Sequence, residues 1–294
     1  MIGRRFAAEA ALVSAAFFFG ATFPLVHRAL HDMTPFGFLT LRFAVALVCL
    51  GPFAVAVARR TDADRRILVR VGLVSGLLLF GGFATQTVGL RTTAPATSAF
   101  LTGLYVMFTP FVEGVVQRRV PPPRVLGSAG LALVGLYLLT GARFDLGAGE
   151  WWTIVCALLF AVWIVYQGRY ATQIHPVPFT SLQMATVVLV GIPVTAATGV
   201  GHLTGYAWFS IVFTGVLCSA VALCLQLWGQ RRIPPARAAV ILLMEPVFAG
   251  LVSWATGHPL GPVEVVGALV ILGAIALAEL GPGRAPRRPA DARG

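Results

Sequence analysis

Long apolar runs separated by short polar connections make up most of the chain. An α-helix needs about 20 apolar residues to cross the hydrocarbon core of a bilayer, and each run has about that length. Apolar and polar positions do not alternate within the runs, so they predict helices rather than the strands of a membrane barrel. The ten predicted spans are 9–28, 35–57, 67–90, 94–116, 123–141, 149–168, 177–198, 206–228, 237–256 and 263–281.

Prolines stand where several of these spans begin. Proline is tolerated in the first turn of a helix, where its missing N–H would have no partner in any case. The prolines in question are Pro35, Pro121, Pro122, Pro123, Pro176, Pro234, Pro235 and Pro262. The segment 282–294 is rich in proline and arginine, which predicts a disordered, solvated tail.

The composition also indicates a membrane protein. Hydrophobic residues make up 57% of the chain and charged residues 11%, whereas a soluble domain carries about 25% charged residues. Lipid offers no hydrogen-bond partners, so every crossing segment must satisfy its own backbone, as a helix does. The net charge of +11 lies between the apolar runs rather than on one face, so we do not expect nucleic-acid binding.

The arginines predict the orientation of the chain in the membrane. With ten spans, 18 of the 22 arginines fall on the side of the two termini, and Arg28, Arg91 and Arg143 fall on the other side, with Arg42 inside a span. Short cytoplasmic connections carry an excess of arginine. We therefore expect both termini in the cytoplasm, in a multi-pass protein of a bacterial-type plasma (inner) membrane.

The chain repeats itself at a nearly constant offset of 141 and then 140 residues. This predicts two five-helix halves, residues 1–141 and 149–281. Because five is odd, the second half enters the membrane in the opposite orientation, an arrangement typical of secondary transporters with a binding site near the midplane. Landmarks of the repeat are Glu9 with Glu150, Phe19 with Phe160, Arg28 with Arg169, Pro35 with Pro176, Gln86 with Gln226, and Gly89 with Gly229.

Two segments carry a resemblance to a known family. Residues 100–110 read Phe-Leu-Thr-Gly-Leu-Tyr-Val-Met-Phe-Thr-Pro, and residues 244–248 read Met-Glu-Pro-Val-Phe. With Ala-Val-Trp at 161–163 and Leu-Arg-Phe at 41–43, they resemble the EamA-type branch of the drug/metabolite transporter superfamily. The resemblance implies an all-α membrane protein of ten helices in two inverted repeats. It also implies export or exchange of small metabolites or amphipathic compounds without ATP.

The chain departs from the family at one place. After the ninth helix the family usually has Gly-Glu before a turn, whereas this sequence has Gly257, His258 and Pro259. A role of that acid therefore cannot be carried over.

Ionisable groups inside predicted spans are the first candidates for a site, because a charge at the centre of a membrane helix costs about 2.5–3.5 kcal/mol. Glu245 lies near the middle of the ninth span, directly before Pro246, a predicted helix break. We expect it to bind substrate and to exchange a proton in each cycle. A structural carboxylate, capping freed backbone groups or paired with an arginine, is the alternative.

Arg42 lies seven residues into the second span. Its guanidinium can hold a substrate carboxylate by paired hydrogen bonds. The alternatives are that the side chain extends to the membrane surface or makes a structural bond to a neighbouring backbone.

Glu113 follows Pro110, the other predicted helix break, and lies close to Arg118 and Arg119. This position, at the cytoplasmic end of the fourth span, favours a gate or an interfacial ion pair over a substrate contact.

Amides and aromatic side chains complete the predicted site. Gln86 and Gln226 occupy matching places in the two halves, where they either line the cavity or join helices. Tyr105, Trp163 and Tyr166 either form cavity walls, since ligand sites are mostly apolar with a few polar groups, or serve as packing.

The sequence therefore predicts a secondary transporter of small organic metabolites such as amino acids. Arg42 with Glu245 suits a zwitterion, and Glu245 with aromatic side chains suits an organic cation, so a multidrug efflux transporter is the alternative. An integral membrane lipid-modifying enzyme is less favoured, because the sequence shows no His, Asp or Glu clustered at one interface and no P-loop, HExxH or GxSxG motif. A channel or sensor is also less favoured, because a sensor usually carries a soluble output domain and the longest predicted non-membrane segment is the short tail. The expected partners are a small-molecule substrate, membrane lipid and protons as a coupling ion, with no cofactor or metal.

Overall fold

A computed structural model describes residues 2–60, 65–93, 95–140, 147–255 and 261–279. The first half contains α1 (Ile2–Gly20), α2 (Thr22–Ala29), α3 (Pro35–Arg60), α4 (Arg65–Leu90), α5 (Pro95–Gly103), α6 (Tyr105–Gln117) and α7 (Pro123–Thr140). The second half contains α8 (Ala148–Tyr170), α9 (Pro176–Thr198), α10 (Gly205–Phe213), the π-helical segment π1 (Thr214–Val221), α11 (Ala222–Gln230), α12 (Pro235–Leu242), α13 (Met244–Ala255) and α14 (Pro262–Glu279). The predicted tail 282–294, the junction 141–146 and residues 257–259 lie outside the described residues.

Most of these helices have the length and composition of membrane spans. Seven helical stretches of the described chain are at least 18 residues long and apolar enough to cross a bilayer. Two shorter apolar helices, Pro123–Leu139 and Pro262–Ala278, occupy the places of the fifth and tenth predicted spans. The prediction of an all-helical membrane protein is confirmed, and the number of ten spans stays a prediction.

The outside of the bundle is apolar. Large hydrophobic side chains such as Val48, Leu189 and Leu269 are 76%, 71% and 61% exposed. A monomeric soluble protein does not expose apolar residues over its whole surface in this way. These side chains therefore face lipid.

Prolines begin several helices, as the sequence predicts. Pro35, Pro123, Pro176, Pro235 and Pro262 are the first residues of α3, α7, α9, α12 and α14. Proline fixes a backbone angle that suits the first turn. The helix starts were therefore predictable from the sequence.

Three predicted spans are interrupted near their middle. The first span, expected as one helix, turns at Ala21 between α1 and α2. Pro24 explains this turn, because proline cannot donate to the carbonyl four residues earlier and its ring crowds that carbonyl. The ninth span turns at Leu243, also three residues before a proline, Pro246.

The fourth span is interrupted at Leu104, six residues before Pro110, which lies inside α6. The prediction of a break at Pro110 is therefore wrong in position. The turn follows Gly103, which is a poor helix former. A Cβ atom there would meet the side chains of Leu136 and Leu243, so this glycine leaves room for those two side chains.

Contacts between the halves follow the repeat. Helix α4 packs against α8, and its repeat counterpart α11 packs against α1 in the same way. The counterparts α3 and α9 pack against each other, as do α7 and α14. In the second pair, a Cβ atom on Gly135 would lie 2.8 Å from the carbonyl oxygen of Gly267, so the two backbones approach closely at these glycines.

A candidate binding cavity between the two halves

A cavity of about 530 Å³, counting the open space at its mouth, lies between the two halves. Its described lining consists of Phe19, Thr22, Phe23, Arg42, Phe83, Gln86, Thr102, Tyr105, Phe160, Trp163, Ile164, Leu223, Gln226, Leu242 and Glu245.

The helix interruptions place many of these residues. Phe19 and Thr22 flank the turn at Ala21, Thr102 and Tyr105 flank the turn at Leu104, and Leu242 and Glu245 flank the turn at Leu243. Discontinuous helices at the midplane are how secondary transporters expose backbone and polar side chains to a substrate.

The lining follows the sequence repeat almost completely. Fourteen of the fifteen lining residues form seven pairs at an offset of 140 or 141 residues. The pairs are Phe19 with Phe160, Thr22 with Trp163, Phe23 with Ile164, Phe83 with Leu223, Gln86 with Gln226, Thr102 with Leu242, and Tyr105 with Glu245. Each half therefore contributes the same positions to one cavity.

Arg42 is the lining residue without a paired counterpart in the cavity. Its side chain is 2% exposed, so it does not extend to the surface. Its Nε atom donates to Ser219 Oγ at 2.9 Å, and its Cζ atom lies 4.8 Å from the ring centre of Phe83. Its Nη2 atom has no hydrogen-bond partner among the described residues and is therefore an unused donor.

Glu245 lies in the first turn of α13 and lines the cavity. Within the described chain its carboxylate makes neither a hydrogen bond nor an ion pair, although Arg42 lines the same cavity. The two structural alternatives for Glu245, capping and arginine pairing, therefore do not account for its position.

The two glutamines lie at the cavity, as the repeat predicts. Gln86 Nε2 donates to Thr102 Oγ1 at 3.3 Å, across the cavity wall from α4 to α5. Gln226 is 1% exposed, and its Nε2 atom has no partner in the part of the chain that the structure describes. The amide of Gln226 and the guanidinium of Arg42 thus both offer unused donors.

Aromatic rings form one wall of the cavity. Phe83 contacts Phe160 at 5.1 Å between ring centres, and Phe160 contacts Trp163 at 6.1 Å. Trp163 is held by its indole N–H, which donates to Gln183 Oε1 at 2.8 Å. Tyr105 is buried and also lines the cavity.

Tyr166 lies outside the cavity lining. Its ring packs against Tyr170 at 5.4 Å, beside the apolar cluster that includes Ile67 and Leu68. Tyr166 lies almost one helical turn beyond Trp163 on α8, past the end of the cavity, so its prediction as a wall residue does not match the structure.

Glu113 also lies outside the lining. Its Oε2 atom accepts from the backbone N–H of Ala236 at 3.0 Å, and its Oε1 atom accepts from Gln117 at 2.8 Å. Within the described residues it forms no ion pair with Arg118 or Arg119. Glu113 therefore joins the end of α6 to the start of α12.

One turn beyond the lining, repeat-related pairs differ in chemistry. Gln167 Nε2 donates to Gln230 Oε1 at 2.7 Å, and Gln230 Nε2 donates to Ile164 O at 3.1 Å. Their counterparts at offsets of 141 and 140 are Val26 and Leu90, which are buried in one apolar cluster. At one end of the cavity the helices are thus joined by amide hydrogen bonds. At the other end Val26 and Leu90 pack as apolar side chains, with one hydrogen bond between His27 Nδ1 and Leu90 O at 3.0 Å beside them.

The sequence did not predict Ser219 or Gln183, the two residues that form hydrogen bonds with Arg42 and Trp163 of the cavity lining. It also missed Thr22, Phe23, Thr102 and Ile164. The repeat was the available signal for the lining, because Phe19 with Phe160 and Gln86 with Gln226 were already visible as landmarks. No group of three or more His, Cys, Asp or Glu able to hold a metal occurs among the described residues.

Comparisons with known proteins agree with this architecture. The model of the EamA-like transporter family matches residues 7–141 and 147–280. An uncharacterised transporter of Archaeoglobus fulgidus is 31% identical over 280 residues, covering 94% of this chain and 87% of that protein. A WAT1-related chloroplast protein of Arabidopsis thaliana is 24% identical over 291 residues, covering 90% of this chain and 68% of that protein.

A solved crystal structure shares the fold. It superposes with a TM-score of 0.75 at 19% identity, and the match covers 93% of this chain and 96% of that one.

The fold and the matches define a multi-pass membrane protein of the transporter class. Two family-model matches that together span nearly the whole chain decide the family. This chain belongs to the EamA-like transporter family, so the resemblance to the drug/metabolite transporter superfamily is confirmed.

Proposed function

We propose that this protein is a secondary transporter that moves small organic metabolites such as amino acids by alternating access, as an exporter or exchanger. In this proposal the chain crosses a plasma (inner) membrane ten times, in two inverted five-helix halves, residues 1–141 and 149–281, with both termini in the cytoplasm. Membrane lipid surrounds the bundle, and the segment 282–294 is a cytoplasmic tail.

The paired lining of the cavity is the observation that carries this proposal. If the second half is inverted, the axis that relates the halves lies in the membrane plane and passes through the cavity. When the two halves exchange conformations, the same seven pairs of residues then face the opposite side of the membrane. A cavity built this way suits a carrier, which needs one site with two exits.

The polar groups of the cavity suit a zwitterion. Arg42 Nη2 and Gln226 Nε2 are unused donors for a carboxylate, and an arginine bond to a carboxylate is roughly twice as strong as a neutral hydrogen bond. The Glu245 carboxylate on the same cavity is an acceptor for an ammonium group. The aromatic wall of Phe83, Phe160 and Trp163 accommodates an apolar side chain.

An organic cation is the second candidate substrate. The observation that favours it is the free Glu245 carboxylate beside aromatic rings, since cations bind over aromatic faces. The buried guanidinium of Arg42 argues against it, because a like charge in the same site repels a cation that carries no carboxylate.

Transport into proteoliposomes of purified protein tests the proposal. The panel contains the twenty amino acids, and for each one that is carried, the amine left by its decarboxylation. We expect counterflow exchange of one or more amino acids, faster than that of the matching amine, and stimulation by an imposed proton gradient. Transport of the amines alone would favour the organic-cation alternative. No movement of either class would contradict the proposal.

Glu245 and Glu113 have different roles in this scheme. We assign to Glu245 substrate contact and proton exchange, because it lines the cavity without a partner. We assign to Glu113 a gate, because its carboxylate joins α6 to α12, whose C-terminal end leads to the turn before Glu245.

A further inference from the structure

A serine on the π-helical segment holds the guanidinium of Arg42. Ser219 is fully buried, and its Oγ accepts from Arg42 Nε at 2.9 Å. The same hydroxyl donates to the carbonyl oxygen of Thr214 at 3.0 Å. Both hydrogen-bonding functions of the Ser219 hydroxyl are thus used, and its orientation is fixed.

The π-helical segment brings this serine to Arg42. Along π1 the backbone bonds skip to the fifth residue back, as in the bond from Ala222 N to Leu217 O. Such single-turn π segments inside α-helices occur often at functional sites. Gly215 lets π1 touch α3 at the same residue, because a Cβ atom there would lie 2.7 Å from Arg42 O.

The other half offers a comparison. The position that corresponds to Arg42 at the offset of 141 is Gln183, which lies behind the cavity wall. Gln183 Oε1 accepts from Ser75 Oγ at 3.1 Å, and Ser75 lies on α4, the counterpart of the π1–α11 span. Helix α4 is regular along its whole described length. In both halves, the residue at this position is therefore bonded to a buried serine of the other half. Only the serine on the π-helical segment is bonded to a cation.

The bond to Ser219 fixes the orientation of the guanidinium in the cavity lining. With Nε engaged, the side chain cannot rotate about its terminal bonds without losing that bond. Nη2 stays without a partner among the described residues, although a buried donor that lacks a partner is unfavourable. A carboxylate oxygen that accepts from Nη2 would remove this cost.

We propose that Ser219 is a positioning residue that sets the selectivity of the transporter for carboxylate-bearing substrates, by holding the guanidinium of Arg42 in one orientation in the cavity lining, with Nη2 left without a protein partner. This inference rests on the proposed transport function. Ser219 itself does not touch the substrate, and the π-helical segment is the element that carries it to Arg42.

The Ser219→Ala variant tests this proposal in proteoliposomes. The probes are the amino acid that the wild type carries fastest and the amine formed from it by decarboxylation. Without the hydroxyl, the guanidinium loses its fixed orientation, and we expect the ratio of the amine KM to the amino acid KM to fall about tenfold. Ser219→Thr keeps a hydroxyl at the same place and should restore the ratio.

Ser128→Ala is the matched control. Ser128 is also fully buried and bonds to a backbone carbonyl of its own helix, Val125 O at 3.0 Å, but it lies outside the cavity lining. We expect its KM ratio to equal that of the wild type. Thermal unfolding of each variant in detergent shows whether it is folded.

Three outcomes would overturn the inference. An unchanged KM ratio in a folded Ser219→Ala protein, or an equal loss of Vmax for both probes, would mean that Ser219 has only a structural role. If Ser219→Ala does not fold, a wild-type ratio in Ser219→Cys, which offers a much weaker bond, would overturn it too. A wild type that carries no amino acid would instead remove the proposed function, and this inference with it.

Discussion

Charge is distributed unequally over residues that the repeat makes equivalent. Arg42 corresponds to Gln183, and Glu245 corresponds to Tyr105. The frame of the cavity is thus repeated, whereas its two ionisable groups each occur in one half only. In the proposed mechanism this difference orients a zwitterion, with its carboxylate at Arg42 and its ammonium at Glu245, in both conformations of the carrier.

Glu245→Gln removes the proposed proton carrier while keeping the shape of the side chain. We expect transport that no longer responds to an imposed proton gradient or to pH, with counterflow exchange retained at a raised KM, because the amide accepts a weaker bond from the ammonium group than a carboxylate does. The measurement is uptake into proteoliposomes with and without the gradient.

Glu264→Gln, at the start of α14 and outside the described lining, serves as the control for Glu245→Gln. It should keep the wild-type response to the gradient. An unchanged pH dependence in Glu245→Gln would exclude proton exchange at this residue.

Gln183→Leu removes the acceptor of two buried donors, Trp163 Nε1 and Ser75 Oγ. Leaving a buried donor without a partner costs about 1–3 kcal/mol, so we expect a lower melting temperature and weaker substrate binding. Thermal unfolding and the transport KM measure the two effects. The exposed Gln173→Leu change should leave both unaltered, and a wild-type KM in Gln183→Leu would show that the indole needs no such support.

The residues of the site were partly predictable. A glutamine in each half at one offset is visible in the sequence, so Gln86 and Gln226 could be assigned to one place. Tyr166 was assigned wrongly because its chemistry resembles that of Trp163, while only the packing of α8 shows where the cavity ends. Ser219 could not be found at all, because its bond to Arg42 joins positions 177 residues apart.

Among the elements, the interrupted helices have a recognisable cause in two of three cases. The turns at Ala21 and Leu243 each precede a proline by three residues. The turn at Leu104 does not. It follows Gly103, where the missing Cβ leaves room for the side chains of Leu136 and Leu243. The local sequence therefore predicts the presence of a helix interruption more reliably than its position.

The π-helical segment is harder still to predict from the local sequence. No proline occurs within 214–221, and its repeat counterpart in α4 is regular. The contacts that accompany the change of hydrogen bonding are those of Gly215 and Ser219 with Arg42. These contacts are tertiary, so no pattern within the segment indicates them.

Pro246→Ala tests the interruption before Glu245. The change restores a backbone donor to the carbonyl of Leu242 and relieves the ring contact that disfavours a regular helix. We expect a straighter span, a displaced Glu245, and a transport rate well below that of the wild type without loss of thermal stability. Pro52→Ala is the control, since Pro52 lies inside α3 away from the lining. A wild-type transport rate in Pro246→Ala would show that transport does not need the turn.

Glu113→Ala tests the bond between α6 and α12. A carboxylate near a helix N-terminus stabilises by about 0.3–1 kcal/mol, so its loss should shift the balance between the two conformations by about two- to fivefold. We expect the KM measured from the cytoplasmic side and that measured from the outer side to change in opposite directions. Vesicles of both orientations provide the measurement. Equal changes on both sides would argue against a gate.

At the scale of the whole molecule, the arrangement of spans predicts the location of both ends. Green fluorescent protein fused after Gly294 should fluoresce, and alkaline phosphatase fused there should be inactive, because both ends lie in the cytoplasm in the proposed topology. Phosphatase fused after His202, in the connection between α9 and α10, should be active. The reverse pattern would contradict the orientation inferred from the arginines.

The helices at the two ends of the cavity are held together by different interactions, which predicts a temperature dependence for the proposed carrier. Gln167 and Gln230 are joined by hydrogen bonds, while Val26 and Leu90 share an apolar cluster. Apolar association weakens on cooling, because its driving force near room temperature is entropic. Cooling should therefore weaken the packing at Val26 before it weakens the hydrogen bonds at Gln167. At low temperature the proposed carrier should then favour the conformation in which the exit near Val26 is open.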